Sequence, residues 1–208
     1  MPDPTADDPR TVFADAARAF VELVDRIPHD AWAGPGLGEW DLRALVGHTS
    51  RSLVTVLTYL PKVTDAEAVR TVAAYYTAAA QIMAADPAAV TERGRRAGEA
   101  LGADPGATVR GLFDDCLTAL DATRGDPVIE TIVGGMRLSR YLVTRTFELV
   151  VHQLDIAAAT GLPFDPPTEA LAGALRLAVE VAIDRREGAL LLLALTGRHA
   201  LPEGFSVV

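Results

Sequence analysis

Apolar residues recur along this chain at steps of three and four, and that rhythm predicts helices. Phe13, Phe20, Val24 and Ile27 share one side of a helix over residues 9–27. HDAWAGPGLGEW, residues 29–40, is a Gly/Pro-rich loop. Asp41 stands at an N-cap position and opens a second helix over 42–60, stopped by Pro61. Its stripe is Leu42, Val46, Thr49, Leu53, Val56 and Leu60, spaced 4-3-4-3-4. Val69, Val72, Tyr76 and Met83 predict a third helix over 65–85, continuing weakly beyond Pro87. Residues 91–97 are charged and read as a solvated stretch. Asp104-Pro105 starts a helix through Leu112, Cys116 and Leu120. Residues 127–133 are rich in β-branched side chains, lead into Gly134-Gly135, and predict a short strand or extended connector. A long helix follows over 138–160, closed by Gly161 and Pro163, and a last one over 168–186. ALLLLALTGR fits helix or strand, and the tail GFSVV is strand-like. These segments predict a mainly all-α protein. It is a four-helix bundle over residues 1–162 with a small helical or strand extension over 163–208 packed on it.

Composition narrows the function classes. The 208 residues suit one domain with an appendage, and half are hydrophobic, enough for a proper core. The net charge of −9 argues against nucleic acid and anionic membranes as partners. One cysteine, Cys116, excludes an internal disulfide framework and reads as a small core residue. The N-terminus MPDPTADDPR is acidic and carries no signal segment, and ALLLLAL is too short to span a bilayer. A cytoplasmic protein, monomer or homodimer, is the expectation.

Two helices carry polar seams beside their apolar stripes. In the long helix, Leu138, Leu142, Leu149 and Ile156 mark the core side. Beside them run Tyr141, Arg145, Glu148, His152, Asp155 and Ala159, spaced 4-3-4-3-4. Such a seam is buried or half-buried, and unpaired charges there would cost several kcal/mol, comparable to the roughly 5–15 kcal/mol stability of a domain. Something must compensate them. Glu148 and His152 sit at i and i+4, one turn apart on one face. The second helix has its own seam, Asp41, Leu45, His48, Ser52, Thr55 and Tyr59. If the two helices are neighbours, His48, Glu148 and His152 converge. Two imidazoles and a carboxylate suit Zn²⁺ with an open position, and Fe²⁺, Ni²⁺ or Mn²⁺ would also fit. Arg145 is either an ion-pair partner of Glu148 or a substrate contact. Asp155 either orients a ligand histidine or bonds a loop. His29 and His199 lie in loop contexts and read as solvated.

GLGEWDLRALVGHTS, with Trp40, Asp41-Leu42-Arg43 and His48, resembles the first motif of the mycothiol-dependent maleylpyruvate isomerase-like proteins, within the DinB-like metal-binding superfamily. RTFELVVHQLDIAAATG resembles the second, with Glu148, His152 and Asp155 in place. VIETIVGGMRLSRYLVTR and the ending LLLALTGRHALPEGFSVV are similar too. The resemblance implies a DinB-like four-helix bundle with the metal ligands at His48, Glu148 and His152. It also implies a low-molecular-weight thiol such as mycothiol as cofactor.

The chemistry then expected is S-transfer to, or cis-trans isomerisation of, a small electrophilic substrate. Asp155 and Arg145 are the catalytic candidates. Arg145, Arg198 and Tyr141 are the substrate-binding candidates, the arginines because a guanidinium fork holds a carboxylate at two points. A metal-dependent hydrolase using Asp155 as base, or a non-catalytic binding protein, are the alternatives.

Overall fold

The computed structural model describes residues 8–207; the acidic start over 1–7 lies outside them. Eight helices and one hairpin follow in chain order: α1 (Pro9–Val24), α2 (Leu42–Tyr59), α3 (Val72–Ala85), α4 (Pro87–Ala100), α5 (Pro105–Ala122), β1 (Val128–Thr131), β2 (Gly134–Arg137), α6 (Leu138–Thr160), α7 (Thr168–Asp184) and α8 (Gly188–Leu195). Aspartates punctuate the chain. Asp8, Asp41, Asp86 and Asp104 each cap a helix by accepting from a backbone N–H of the first turn, and three of them precede a proline at its start. That pairing satisfies an otherwise orphaned donor and presets φ for the helix. At the other end of α6, Gly161 takes the left-handed conformation that terminates a helix.

The expected bundle is present. Helices α1, α2, α5 and α6 enclose the core, with α1 and α2 each packed on both α5 and α6. Phe13, Phe20, Leu45, Leu53, Val109, Cys116, Leu142 and Leu149 meet there, all fully buried. Cys116 is thus the core residue its helix context predicts, and burial pushes its thiol up to about 12. Helix α7 lies on α6, α3 and α1, and α8 lies on α7.

The structure corrects two sequence expectations, the start of the third helix and the strand-like tail, and refines two others. The third helix starts at Val72, not residue 65. Residues 62–69 are extended because they bond the hairpin instead: Glu130 N donates to Lys62 O, Thr64 N to Val128 O, and Ala68 N and Val69 N both reach Gly135 O. Residues 91–97 form the middle of α4: Glu92, Arg93, Arg95 and Arg96 are exposed, as a solvated stretch requires, but Gly94 among them and Gly98 just beyond are buried. ALLLLALTGR resolves as helix α8 and a turn. The tail is not a strand among the described residues; Phe205 closes a turn onto Pro202.

The contact between α2 and α4 is the most extensive between any two described helices. Gly47 of α2 faces Gly98 of α4, and a Cβ at Gly47 would collide with Gly98 N and Ala97 C. Glycines at the crossing let the two backbones touch. Arg43 seals the pair by donating from Nε to Gly98 O at 2.9 Å. No described helix is long and apolar enough to cross a membrane.

Candidate metal centre

The two polar seams face each other and run antiparallel. Near the start of α2, His48 meets His152 of α6, with ring centroids 4.9 Å apart and planes nearly perpendicular. Two turns along α2, Thr55 accepts a hydrogen bond from the Tyr141 hydroxyl at 2.7 Å. One turn further, the Tyr59 ring meets that of Tyr141 at 5.6 Å. The equal 4-3-4-3-4 spacing of both seams is what keeps them in register over this length.

His48, Glu148 and His152 each offer a ligand atom, and those atoms lie within 4.8 Å of one another. The donor set and its surroundings fit a divalent ion. His152 Nδ1 is 2.9 Å from Asp155 Oδ2. A carboxylate only accepts, so Nδ1 carries the proton and Nε2 is turned toward the group. That is the carboxylate–histidine pairing that orients metal ligands. Glu148 is held similarly: the Tyr76 hydroxyl lies 3.0 Å from Oε1 and 3.1 Å from the Thr144 carbonyl. Its single proton goes preferentially to the charged acceptor. His48 Nδ1 is buried and has no hydrogen-bond partner among the described residues. A buried, unsatisfied imidazole nitrogen costs about 1–3 kcal/mol unless something binds there. The His48 ring is positioned by stacking instead, on Trp40 at 4.6 Å. Trp40 is fixed in turn by its Nε1–H donated to Thr91 O at 2.9 Å and by Gly94, where any Cβ would strike the indole.

The charges suit ligation as well. Burial and then the nearby His152 charge lower His48 to about 4, so it is neutral and able to donate a lone pair at neutral pH. Burial pulls His152 down, but its hydrogen bonds to Asp155 and Glu148 outweigh this and raise it to about 9. Burial pushes Glu148 up, yet the hydrogen bond with His152, the Arg145 cation and the Tyr76 hydroxyl hold it at about 2. Without a metal, a proton on His152 therefore neutralises Glu148, with His152 Nε2 3.4 Å from Glu148 Oε2.

Arg145 does not make the ion pair with Glu148 that their i, i+3 spacing suggested. Its guanidinium is buried between two aromatic faces, 5.4 Å from the Tyr75 ring and 5.0 Å from the Tyr141 ring. Nε donates to Thr144 Oγ1 at 3.0 Å and Nη2 to the Tyr75 hydroxyl at 3.3 Å. It forms no salt bridge with a described carboxylate, and the aromatic faces supply the compensating negative potential. The chain's other two tyrosines pack on this pair, Tyr76 on Tyr75 and Tyr59 on Tyr141. Tyr141 has no exposed surface and spends its hydroxyl on Thr55, so it forms the wall behind Arg145 rather than a surface a substrate reaches. Arg198 lies on the exposed tail, where Nη1 donates to Thr196 O, and none of its described contacts is with the triad. His29 and His199 are exposed, as expected.

Sequence reasoning passed over Tyr75 and Tyr76 as partners. Their signal was present as adjacent tyrosines in an alanine-rich helix, a pairing that points one ring at Glu148 and the other at Arg145. Trp40 also walls an apolar cleft of about 490 Å³ lined by Leu37, Met83, Ala84 and Val90.

The family model described as the mycothiol maleylpyruvate isomerase N-terminal domain matches residues 13–157, a span that runs from within α1 through most of α6 and holds all three ligand candidates. No curated protein and no solved structure matches the chain. The match covers well over half of the sequence and contains both motifs that carried the resemblance: the chain belongs to the family of the mycothiol maleylpyruvate isomerase N-terminal domain.

Proposed function

We propose that the protein binds one divalent ion, Zn²⁺ first among the candidates, through His48, Glu148 and His152, and uses a low-molecular-weight thiol of the mycothiol kind on a small electrophilic substrate. The observation that carries this reading is the convergence of the three donors within 4.8 Å in a chain of a mycothiol-related family. When bound, the ion supplies Lewis acidity that lowers the pKa of a coordinated thiol. The protein's residues do the rest. Asp155 holds His152 in the tautomer that presents Nε2, Tyr76 aims Glu148, and Trp40 backs His48. Arg145, with no carboxylate of its own, and Arg51, whose charge also reaches His48, leave the pocket cationic once a dication replaces the proton on His152. A cationic pocket favours an anion, whether a thiolate or a substrate carboxylate. S-transfer and cis-trans isomerisation both begin from that pairing of thiolate and electrophile.

The hydrolase reading is weaker for a specific reason. It needs a free general base, and Asp155, the obvious one, is committed to His152. Two measurements on the purified full chain test the proposal. Elemental analysis should find one metal per chain, lost in His48→Ala, Glu148→Gln and His152→Ala. Consumption of a small electrophile should require added mycothiol and stop without it. Full metal in any one variant removes that residue from the site, and undiminished turnover without thiol, in protein freed of small molecules, favours the hydrolase.

A further inference from the structure

Helix α7 is apolar on two opposite sides. Leu177 and Val181 face inward and are buried against the bundle. Leu175, Val179 and Ile183 face outward, 60 %, 38 % and 60 % exposed. Each residue turns about 100°, so this second stripe stands roughly opposite the first. Helix α8 packs on α7, starting with Gly188 against Ile183 at the end of this stripe. Its eight residues include five leucines, not one of them buried, with Leu192 63 % and Leu195 71 % exposed. A helix apolar all round belongs in an interior. Scattered surface leucines need no explanation, but a contiguous apolar patch of this kind marks an interaction site.

We propose that a second copy of this chain covers the patch, with α7 packed antiparallel on α7 of its partner about a two-fold axis at Val179. Three observations select this occupant. The stripe is its own complement. It is symmetric about Val179 at steps of four, so a two-fold axis there sets Leu175 opposite Ile183 of the second copy, and the reverse. The charges agree as well. Arg176, Glu180 and Asp184 flank the stripe on one side, are exposed, and have no described intramolecular partner. At about 1.5 Å of rise per residue, the same axis sets Arg176 level with residue 182 of the second copy, between its Glu180 and Asp184. Two such crossed pairs form at once, which is the repetition an isologous interface requires. The size reaches the low end of a specific interface. With Leu192, Leu193, Leu195 and Leu201 the exposed apolar surface is on the order of 600 Å², approaching the roughly 800 Å² per partner of a standard interface. Two α7–α8 hairpins meeting this way make a second four-helix layer outside the first. The proposal stands independently of the thiol chemistry, because the surface lies on helices that carry none of the metal-ligand candidates.

Sedimentation equilibrium of the full chain tests it. The wild type should show twice the chain mass at micromolar concentration. Ile183→Asp should halve that mass while leaving the helical circular dichroism unchanged, since the side chain is already in solvent within one copy. Arg176→Glu should weaken association at least about tenfold, and the charge-swapped double variant Arg176→Glu/Glu180→Arg should restore it. A wild type that stays monomeric at about 100 µM overturns the proposal, that concentration lying far above the Kd of a specific interface of this size. So does a dimer indifferent to both Ile183→Asp and the charge swap. A monomer that sediments with phosphatidylcholine vesicles through the same leucines would give the surface to lipid and also overturn it.

Discussion

Helix α2 is gripped on two sides in opposite ways. Toward α6 it presents His48, Thr55 and Tyr59, and the two helices communicate through rings and hydrogen-bonded side-chain tips. Toward α4 it presents Gly47 with Ala44, and backbone meets backbone. The first contact is polar, with several partners for each group. The second is steric and has no slack. The difference teaches where each kind of damage should appear. Injury to the α6 side should alter binding and pH response first, whereas injury to the α4 side should alter stability first and reach binding only through Trp40, which α4 holds against His48.

The largest effect expected is on the steric side. Gly47→Leu must drive α4 away from α2, because the new Cβ would occupy the space of Gly98 N. Overpacking of side chains costs about 1–3 kcal/mol, and here rigid backbone must give way, so a loss above about 3 kcal/mol is expected in urea unfolding. The loss should be the same at any pH from mildly acid to mildly alkaline. A variant within about 1 kcal/mol of wild type would show that α4 can yield, and the contrast would fail.

The same contrast explains what the sequence revealed. The α6 side was legible because its residues are chemically conspicuous: His48, Glu148 and His152 repeat at helical spacing beside apolar stripes. The α4 side was not, because a glycine contact leaves no side-chain signal. TERGRRA reads as solvated charge, and its charges are exposed, but the buried positions are Gly94 among them and Gly98 just beyond. Residues 65–71 misled for another reason. Val69 fell in register with a helix stripe, but it is buried by bridging to Met136 of the hairpin, a pairing distant in sequence. Of the two roles the sequence left open for Arg145, the ion pair with Glu148 came from local spacing, but two tyrosine rings, Tyr75 from another helix and Tyr141 from one turn back, hold the guanidinium instead.

Second in size is the loss of orientation at the metal side. Asp155→Asn keeps the shape beside His152 but removes the charge and no longer dictates which nitrogen carries the proton. Metal affinity should fall about 10- to 100-fold, measured by competition with a chelating dye, while urea unfolding of the metal-free protein changes far less than in Gly47→Leu.

The pH response comes next and should belong to the α6 side alone. In the metal-free protein His152 is raised to about 9 from an ordinary 6.5, so its stabilisation is complete below about 6.5 and is lost as pH rises through about 9. His48 runs the other way. It is lowered to about 4, so its contribution is present above about 6.5 and is lost as pH falls through about 4. Metal-free protein should therefore melt highest between these two limits. Metal replaces the proton on His152, so between about pH 6.5 and 9 uptake should release about one proton per ion, read as a buffer-dependent heat in calorimetry. Absence of proton release in that window would mean that His152 is not protonated beforehand, and the electrostatic half of the comparison would need revision.

The smallest effect expected comes from Tyr76→Phe, and it measures how redundant the polar side is. The variant removes only the hydroxyl from a buried ring that also packs edge-on against Phe147 at 5.3 Å. Glu148 loses one donor but keeps His152 beside Oε2. Hydrogen bonds to charged groups contribute about 1.5–3 kcal/mol, and the remaining partner should limit the loss at pH 7 to about the lower figure. The pH dependence identifies the source. Glu148 is held at about 2, so its stabilisation is present above about 4.5 and disappears as pH falls through about 2. With one donor gone its pKa rises, and the acid edge of the stability curve should move to higher pH while the alkaline edge set by His152 stays within a few tenths. A loss equal to that of Gly47→Leu would mean that Glu148 depends on Tyr76 alone, and the polar contact would then be as intolerant as the steric one. A shifted acid edge with a modest loss at pH 7 keeps the two sides of α2 distinct: one shares its load among several partners, and the other rests on the absence of a single carbon atom.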